Sequence, residues 1–138
     1  MTYFRDLTPY NYGRTPWRMK VLNVGWLTAG EPFPTGDVPT LFVERLLEHC
    51  ATAIRRTRGF HVCDLCLAAG ASWGPIRVVH DGRDLLLGSA EVWVGGLPGQ
   101  GRVWYAAPDL VYHYVTAHQY RPPDPFIEAV LQGKRYRG

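Results

Sequence analysis

Two short segments that carry paired metal-type donors constrain this chain more than anything else in it. Cys63 and Cys66 stand as C-x-x-C in RGFHVCDLC, and His113 and His118 as H-x4-H in YHYVTAHQY. Thiolate and imidazole are the donors zinc prefers, and a structural zinc site closes with four of them. If one ion takes all four, the middle of the chain must lie against its last third. The C-x-x-C offers two sulfurs from one tight turn, a zinc knuckle. The histidines pose a geometric problem, because five residues of regular α-helix leave two rings about 140° apart. The segment YRPP answers it by breaking the helix, since a residue before proline is pushed out of helical geometry. The expectation is that a tightened last turn brings the rings together. His61, two residues before Cys63, competes for a place in the shell or supports the ligands from outside it. The bland alternative leaves the cysteines free and packs the histidines in the core, with His118 on one stripe with Val111 and Val115.

Length and composition fit a globular protein. The 138 residues are 46% hydrophobic and 20% charged, so a single domain over 1–138 is expected, with an N-terminal arm at 1–18 and a basic tail at 134–138. A chain of this size buries roughly two thirds of its unfolded surface. Metal is therefore not needed to rescue folding, though it can set the shape of a region poor in regular structure. The net charge of +3 is spread along the chain. The two basic clusters, Arg55, Arg56 and Arg58, then Lys134, Arg135 and Arg137, read as a solvated helix end and a frayed terminus. That speaks against a nucleic-acid partner, which needs a concentrated basic face. The first residues lack the basic and apolar regions of a secretory signal, and no apolar run nears the roughly 18 residues of a membrane span. A cytoplasmic location without membrane contact is expected. There, a C-x-x-C reads as metal-binding or redox-active before it reads as a disulfide.

Periodicity outlines the elements. YFRDLTPYNYGRTPW reads as an arm laid over a core, anchored by Tyr3, Phe4, Tyr10, Tyr12 and Trp17. Lys20 to Leu27 reads as a strand, and EPFPTGDVP as an ordered loop. A long helix begins near Pro39 and ends at Thr57 to Gly59, with Val43, Leu46, Leu47, Cys50 and Ile54 on one apolar face. Cys50 on that face reads as a small buried hydrophobe. Leu67 to Gly74 reads as a flexible loop. Ile76–Val79, Asp84–Leu87, Ala90–Val94 and Arg102–Tyr105 read as an antiparallel meander, with Asp81-Gly82, Gly88 and GGLPGQG between the strands. A second helix begins at Pro108-Asp109 and carries both histidines. A short third, Phe126–Leu131, ends at Gly133.

Catalytic patterns are missing. The C-x-x-C does not open a helix after a strand, as a thioredoxin-like motif would, and there is no H-x-E, H-E-x-x-H or G-x-S-x-G. GGLPGQG is a hairpin connection, not a phosphate cradle. Glu91 and Asp64 are candidate general bases beside a metal-bound water, though most carboxylates are simply solvated. Trp26, Trp73, Trp93 and Trp104 either line a pocket or fill the core, the latter being commoner.

The segments YFRDLTPYNY, LNVGWL, FPTGDVP, GFHVCDLC, AAPDLVYHYVTAHQYRPP and FIEAV resemble an uncharacterised family of small bacterial proteins. The most specific parts are the H-x-C-x-x-C of HVCDLC and the stretch HYVTAHQYRPP. The resemblance implies a shared metal-centred fold that uses His61, Cys63, Cys66, His113 and His118, framed by Tyr120, Pro122 and Pro123. It implies no activity.

The expected fold is α+β: a small antiparallel sheet with one long and two shorter helices around a zinc knuckle. The expected function is a zinc-binding interaction or accessory module. Its structural site is formed by Cys63, Cys66, His113 and His118, and its partner is an unknown protein or small molecule. One alternative is a zinc-dependent enzyme with an open Cys2His shell and a bound water; a second is a nucleic-acid-binding protein.

Overall fold

The computed structural model describes residues 3–11, 13, 15 and 19–132. Tyr12, Trp17, Gly133 and the tail residues Lys134, Arg135 and Arg137 lie outside them. The fold is α+β, with five strands and four helices among the described residues. Strand β1 (Lys20–Asn23) precedes helix α1 (Thr40–Ala51) and a short helix α2 (Asp64–Ala68). Strands β2 (Ile76–His80), β3 (Arg83–Leu87), β4 (Glu91–Gly95) and β5 (Val103–Pro108) follow, and helices α3 (Val111–His118) and α4 (Asp124–Gln132) end the series.

The expected meander divides in two. β2 and β3 form a hairpin of their own, while β1, β5 and β4 form a mixed sheet in which β1 runs parallel to β5. Local alternation announces strands but not their partners, and β1 finds β5 across most of the chain. The hairpin turn is as its Asp-Gly pair demands: Asp81 and Gly82 both take positive φ, 50° and 73°, as a type I′ turn requires.

Both faces of the mixed sheet are covered. Alternate residues of a strand point to opposite faces. Val92, Val94, Val103, Tyr105 and Ala107 pack with Phe42, Leu46, Phe126 and Val130 of α1 and α4 in the main core. Trp93, Ala106 and Val21 pack with Tyr10 and Trp26 on the other side. The N-terminal arm builds that second face. Pro9 bridges to Leu22, Tyr10 donates its N–H to Val21 at 2.9 Å, and Phe4 meets Trp26 edge-on at 5.5 Å. Tyr10 and Phe4 thus act as the expected anchors.

α1 is shorter than its apolar spacing suggests. It stops at Ala51, and Ile54 pairs instead with Glu91 as an isolated bridge. Arg55, just past that bridge, has a φ of 55°. Its guanidinium lies 4.4 Å from the Trp93 ring centroid, and Arg56 donates to Ser89 Oγ at 3.0 Å. These two arginines are therefore engaged by the fold. No helix among the described residues is long and apolar enough to cross a membrane.

Candidate metal centre

The cysteine turn is held from both ends. His61 donates its backbone N–H to Gly88 at 2.8 Å. Gly88 has a φ of 105°, and a Cβ there would run into the His61 carbonyl, so the close approach requires glycine. Cys63 then takes the N-cap position of α2, its sulfur accepting the Cys66 N–H at 3.4 Å. What was expected to be a flexible loop after Leu67 begins instead as this helix, and Ala71 closes it by donating to the Cys66 carbonyl at 3.0 Å. Asp64 is pinned on the other side: its Oδ2 accepts from Thr28 Oγ1 at 2.6 Å and from Ala29 N at 3.2 Å.

The histidine helix is positioned independently. The Asp109 carboxylate accepts the Gly88 N–H at 2.7 Å and its own N–H reaches the Ala90 carbonyl at 3.0 Å, which fixes the start of α3 beside β4. The far end departs from expectation. The last turn does not tighten; it widens. Gln119 takes the left-handed conformation, φ 58° and ψ 24°, and donates to the carbonyl of Tyr114, five residues back. Tyr120 donates to the same carbonyl at 3.1 Å. These i−5 and i−6 bonds close the chain over residues 114–120, just past the histidine pair, while the α-helix itself runs through His118. The break falls at Gln119, before Arg121-Pro122-Pro123. The proline loop braces it: Gly36 donates to the Gln119 carbonyl at 3.1 Å, Arg121 donates to that of Pro34 at 2.9 Å, and Tyr120 gives its hydroxyl to Asp6 at 2.7 Å.

Cys63, Cys66, His113 and His118 thereby converge, with one donor atom from each inside a 4.8 Å span. His113 Nε2 lies 3.2 Å from Cys66 Sγ. His118 Nε2 lies 3.3 Å from Cys66 Sγ and 3.4 Å from Cys63 Sγ. The pattern is not that of separate hydrogen bonds. One thiol has one proton, yet Cys66 faces two imidazole nitrogens at once, and His118 Nε2 faces two sulfurs. Donors that all approach one another by the same ring nitrogen or sulfur fit a shared central cation. The cluster can hold a metal ion.

The electrostatics suit that use. Burial pushes the Cys63 thiol up to about 11, and Cys66 adds to the rise, while the backbone N–H groups of Cys66 and Leu65 pull the other way. A cation at the centre would reverse that balance and hold the thiolate. Burial lowers His113 below the ordinary imidazole range, with His118 contributing, and burial alone lowers His118. The neutral ring is the form that ligates. Cys63 is buried, and the other three are half-buried, so the cluster sits just beneath the surface.

The remaining candidates lie elsewhere. His61 is not among the converging side chains and instead lines clefts beside the cysteine turn. Cys50 is core, its thiol donating to the Asp109 carbonyl at 3.6 Å. Glu91 is buried, and its Oε1 accepts from Tyr10 Oη at 2.8 Å and Trp93 Nε1 at 2.9 Å. Trp26 and Trp93 are core, whereas Trp73 is exposed. Sequence reasoning missed Thr28, Asp6 and Asp109 as supports. Each acts on a residue distant in the chain, and no local pattern marks them.

A family model described as a domain of unknown function (DUF7919) matches residues 2–131. No curated protein and no solved structure matches the chain.

Proposed function

The chain belongs to the family described as a domain of unknown function, DUF7919, and from that premise we propose that it is a small zinc-binding protein serving as an interaction or accessory module. Cys63, Cys66, His113 and His118 hold the ion, and the ion's work is structural. One observation carries the reading: sulfur and imidazole nitrogen meet at 3.2 to 3.4 Å. In a tetrahedral zinc site, bond lengths of 2.3 Å to sulfur and 2.0–2.1 Å to nitrogen put such pairs about 3.5 Å apart. Two thiolates and two imidazoles in that arrangement favour zinc over the oxygen-seeking cations. Bound zinc would tie α2 to the end of α3.

Four protein donors leave no open position, which distinguishes a scaffold from a catalyst. The rival is a zinc-dependent enzyme in which Cys63, Cys66 and one histidine bind and water takes the fourth place. It needs a base near the metal: Glu91 is held by Tyr10 and Trp93, whereas Asp64 keeps Oδ1 open among the described residues and the spare histidine is a further candidate, so it is the convergence of four donors that speaks against this reading. A nucleic-acid-binding role is disfavoured by the engagement of Arg55 and Arg56 within the fold.

The test is metal analysis of protein purified without chelator, followed by exchange with cobalt(II). The reading expects about one zinc per chain and the absorption of a tetrahedral, thiolate-bound cobalt. Well under one metal per chain would sink it. If either histidine can be replaced by alanine with no loss of affinity, the open three-ligand site takes its place.

A further inference from the structure

Beside the cysteine turn lies a cleft of about 270 Å³ lined by Leu27, Phe60, His61, Val62, Asp64 and Trp73. One wall comes from the residues just before Cys63, the other from the loop after Cys66. The same turn that brings the sulfurs together therefore sets the spacing of the walls. Trp73 is 69% exposed, an unusual position for the largest apolar side chain. Its ring leans on Phe60, with centroids 5.8 Å apart and planes at 42°. Leu27, 4% exposed, forms the floor. Asp64 supplies the charge. Its Oδ2 is fixed by Thr28 and Ala29, while Oδ1 takes no hydrogen bond from the described residues, and no described cation pairs with it.

We infer that this cleft binds an organic cation of the alkylammonium or guanidinium class. An aromatic face attracts a cation within about 6 Å of its centroid, and rings as close as Phe60 and Trp73 let one cation meet both. The carboxylate beside them completes the site: it attracts a cation and repels an anion. It is also held in place before the ligand arrives, so little side-chain freedom is lost on binding. Size narrows the ligand. The cleft falls just below the roughly 300 Å³ at which pockets for drug-sized molecules begin, which suits a single head group. A lysine or arginine side chain and a small free amine share this chemistry. The inference depends on the shape of the cysteine turn and not on which metal it holds.

The metal-loaded full chain is titrated with tetramethylammonium chloride, capped lysine amide and capped arginine amide, with sodium acetate as the anion control. Tryptophan emission and calorimetric heat are followed, and metal content is measured on the same samples. Saturable binding of at least one cation is expected, with no response to acetate. Trp73→Ala and Asp64→Asn should each weaken it at least about tenfold while far-UV circular dichroism and metal content stay unchanged. Asp64→Asn keeps an acceptor for Thr28 and Ala29, so it removes the charge without removing the support. A capped amide that outcompetes tetramethylammonium identifies a side chain as the source; the reverse order identifies a small free cation. Absence of saturable binding, equal affinity in both variants, or an equal response to acetate overturns the inference. Because metal is assayed separately, any of these results is distinguishable from failure of the zinc reading.

Discussion

A single imidazole nitrogen shows what each residue contributes. His118 Nε2 faces both sulfurs, at 3.3 and 3.4 Å, whereas His113 Nε2 faces Cys66 alone. His61 has the right chemistry and the right proximity in sequence, but its backbone is bonded to Gly88 and it is not among the converging side chains. Replacing His61 with alanine should therefore leave metal content at about one per chain, while Cys66→Ser and His118→Ala should each lower affinity by at least about tenfold. Competition with a chromophoric chelator measures both. Asp109 makes a different prediction. It is fully buried, its Oδ2 lacks a partner among the described residues, and burial raises its carboxyl to about 6 against the pull of the Gly88 N–H. An unfolded aspartate titrates near 3.9. The folded protein thus holds this proton more tightly, so the stabilisation is present below about pH 4 and is lost as pH rises through about 6. The stability difference between wild type and Asp109→Asn should shift by on the order of 2 kcal/mol across that window, in favour of wild type at the acid end. Denaturant titrations at several pH values measure it, and taking the difference cancels the metal's own pH dependence.

Among the elements, the ends matter more than the interiors. α3 ends just past its second histidine, where a left-handed Gln119 and Tyr120 both donate to the Tyr114 carbonyl. The chain announces that a helix must stop before Arg121-Pro122-Pro123. It does not announce whether the last turn tightens or widens. That choice is made by Gly36, Pro34 and Asp6, which bond the segment from outside. α1 shows the same division. Its apolar face is legible at Leu46 and Cys50, but the spacing runs on to Ile54, which the pairing with Glu91 draws away from the helix. The approach to the cysteine turn rests on Gly88. Gly88→Ala should cost about 2–4 kcal/mol, because both the left-handed φ of 105° and the contact with the His61 carbonyl oppose a side chain. Denaturant midpoints check the cost. A lowered metal affinity in the same variant would show that the strain reaches Cys63.

At the scale of the molecule, the Cys/His cluster borders the main core, to which Cys63 belongs and against which Cys66 packs. Away from the cluster, Phe42 of α1 and Phe126 of α4 meet edge-on at 6.2 Å where α1, α4 and the mixed sheet pack together. Stripping the metal with a chelator should therefore lower the thermal midpoint by at least about 5 °C. It should nonetheless leave a cooperative transition and most of the helical circular dichroism. Complete unfolding on chelation would mean that the metal, and not the core, holds the fold. The sequence by itself determined the four candidate donor residues, the Asp-Gly hairpin, part of the buried face of α1 (Leu46 and Cys50, but not Phe42 or His49) and the need for α3 to end, because each is a matter of residue type at short spacing. Only the tertiary structure decided that β1 pairs with β5, that α3 ends in a widened turn, that His61 stands outside the cluster, and that Trp73 and Asp64 line one cleft. Those outcomes depend on contacts between residues far apart in the chain, whose energies no local pattern encodes.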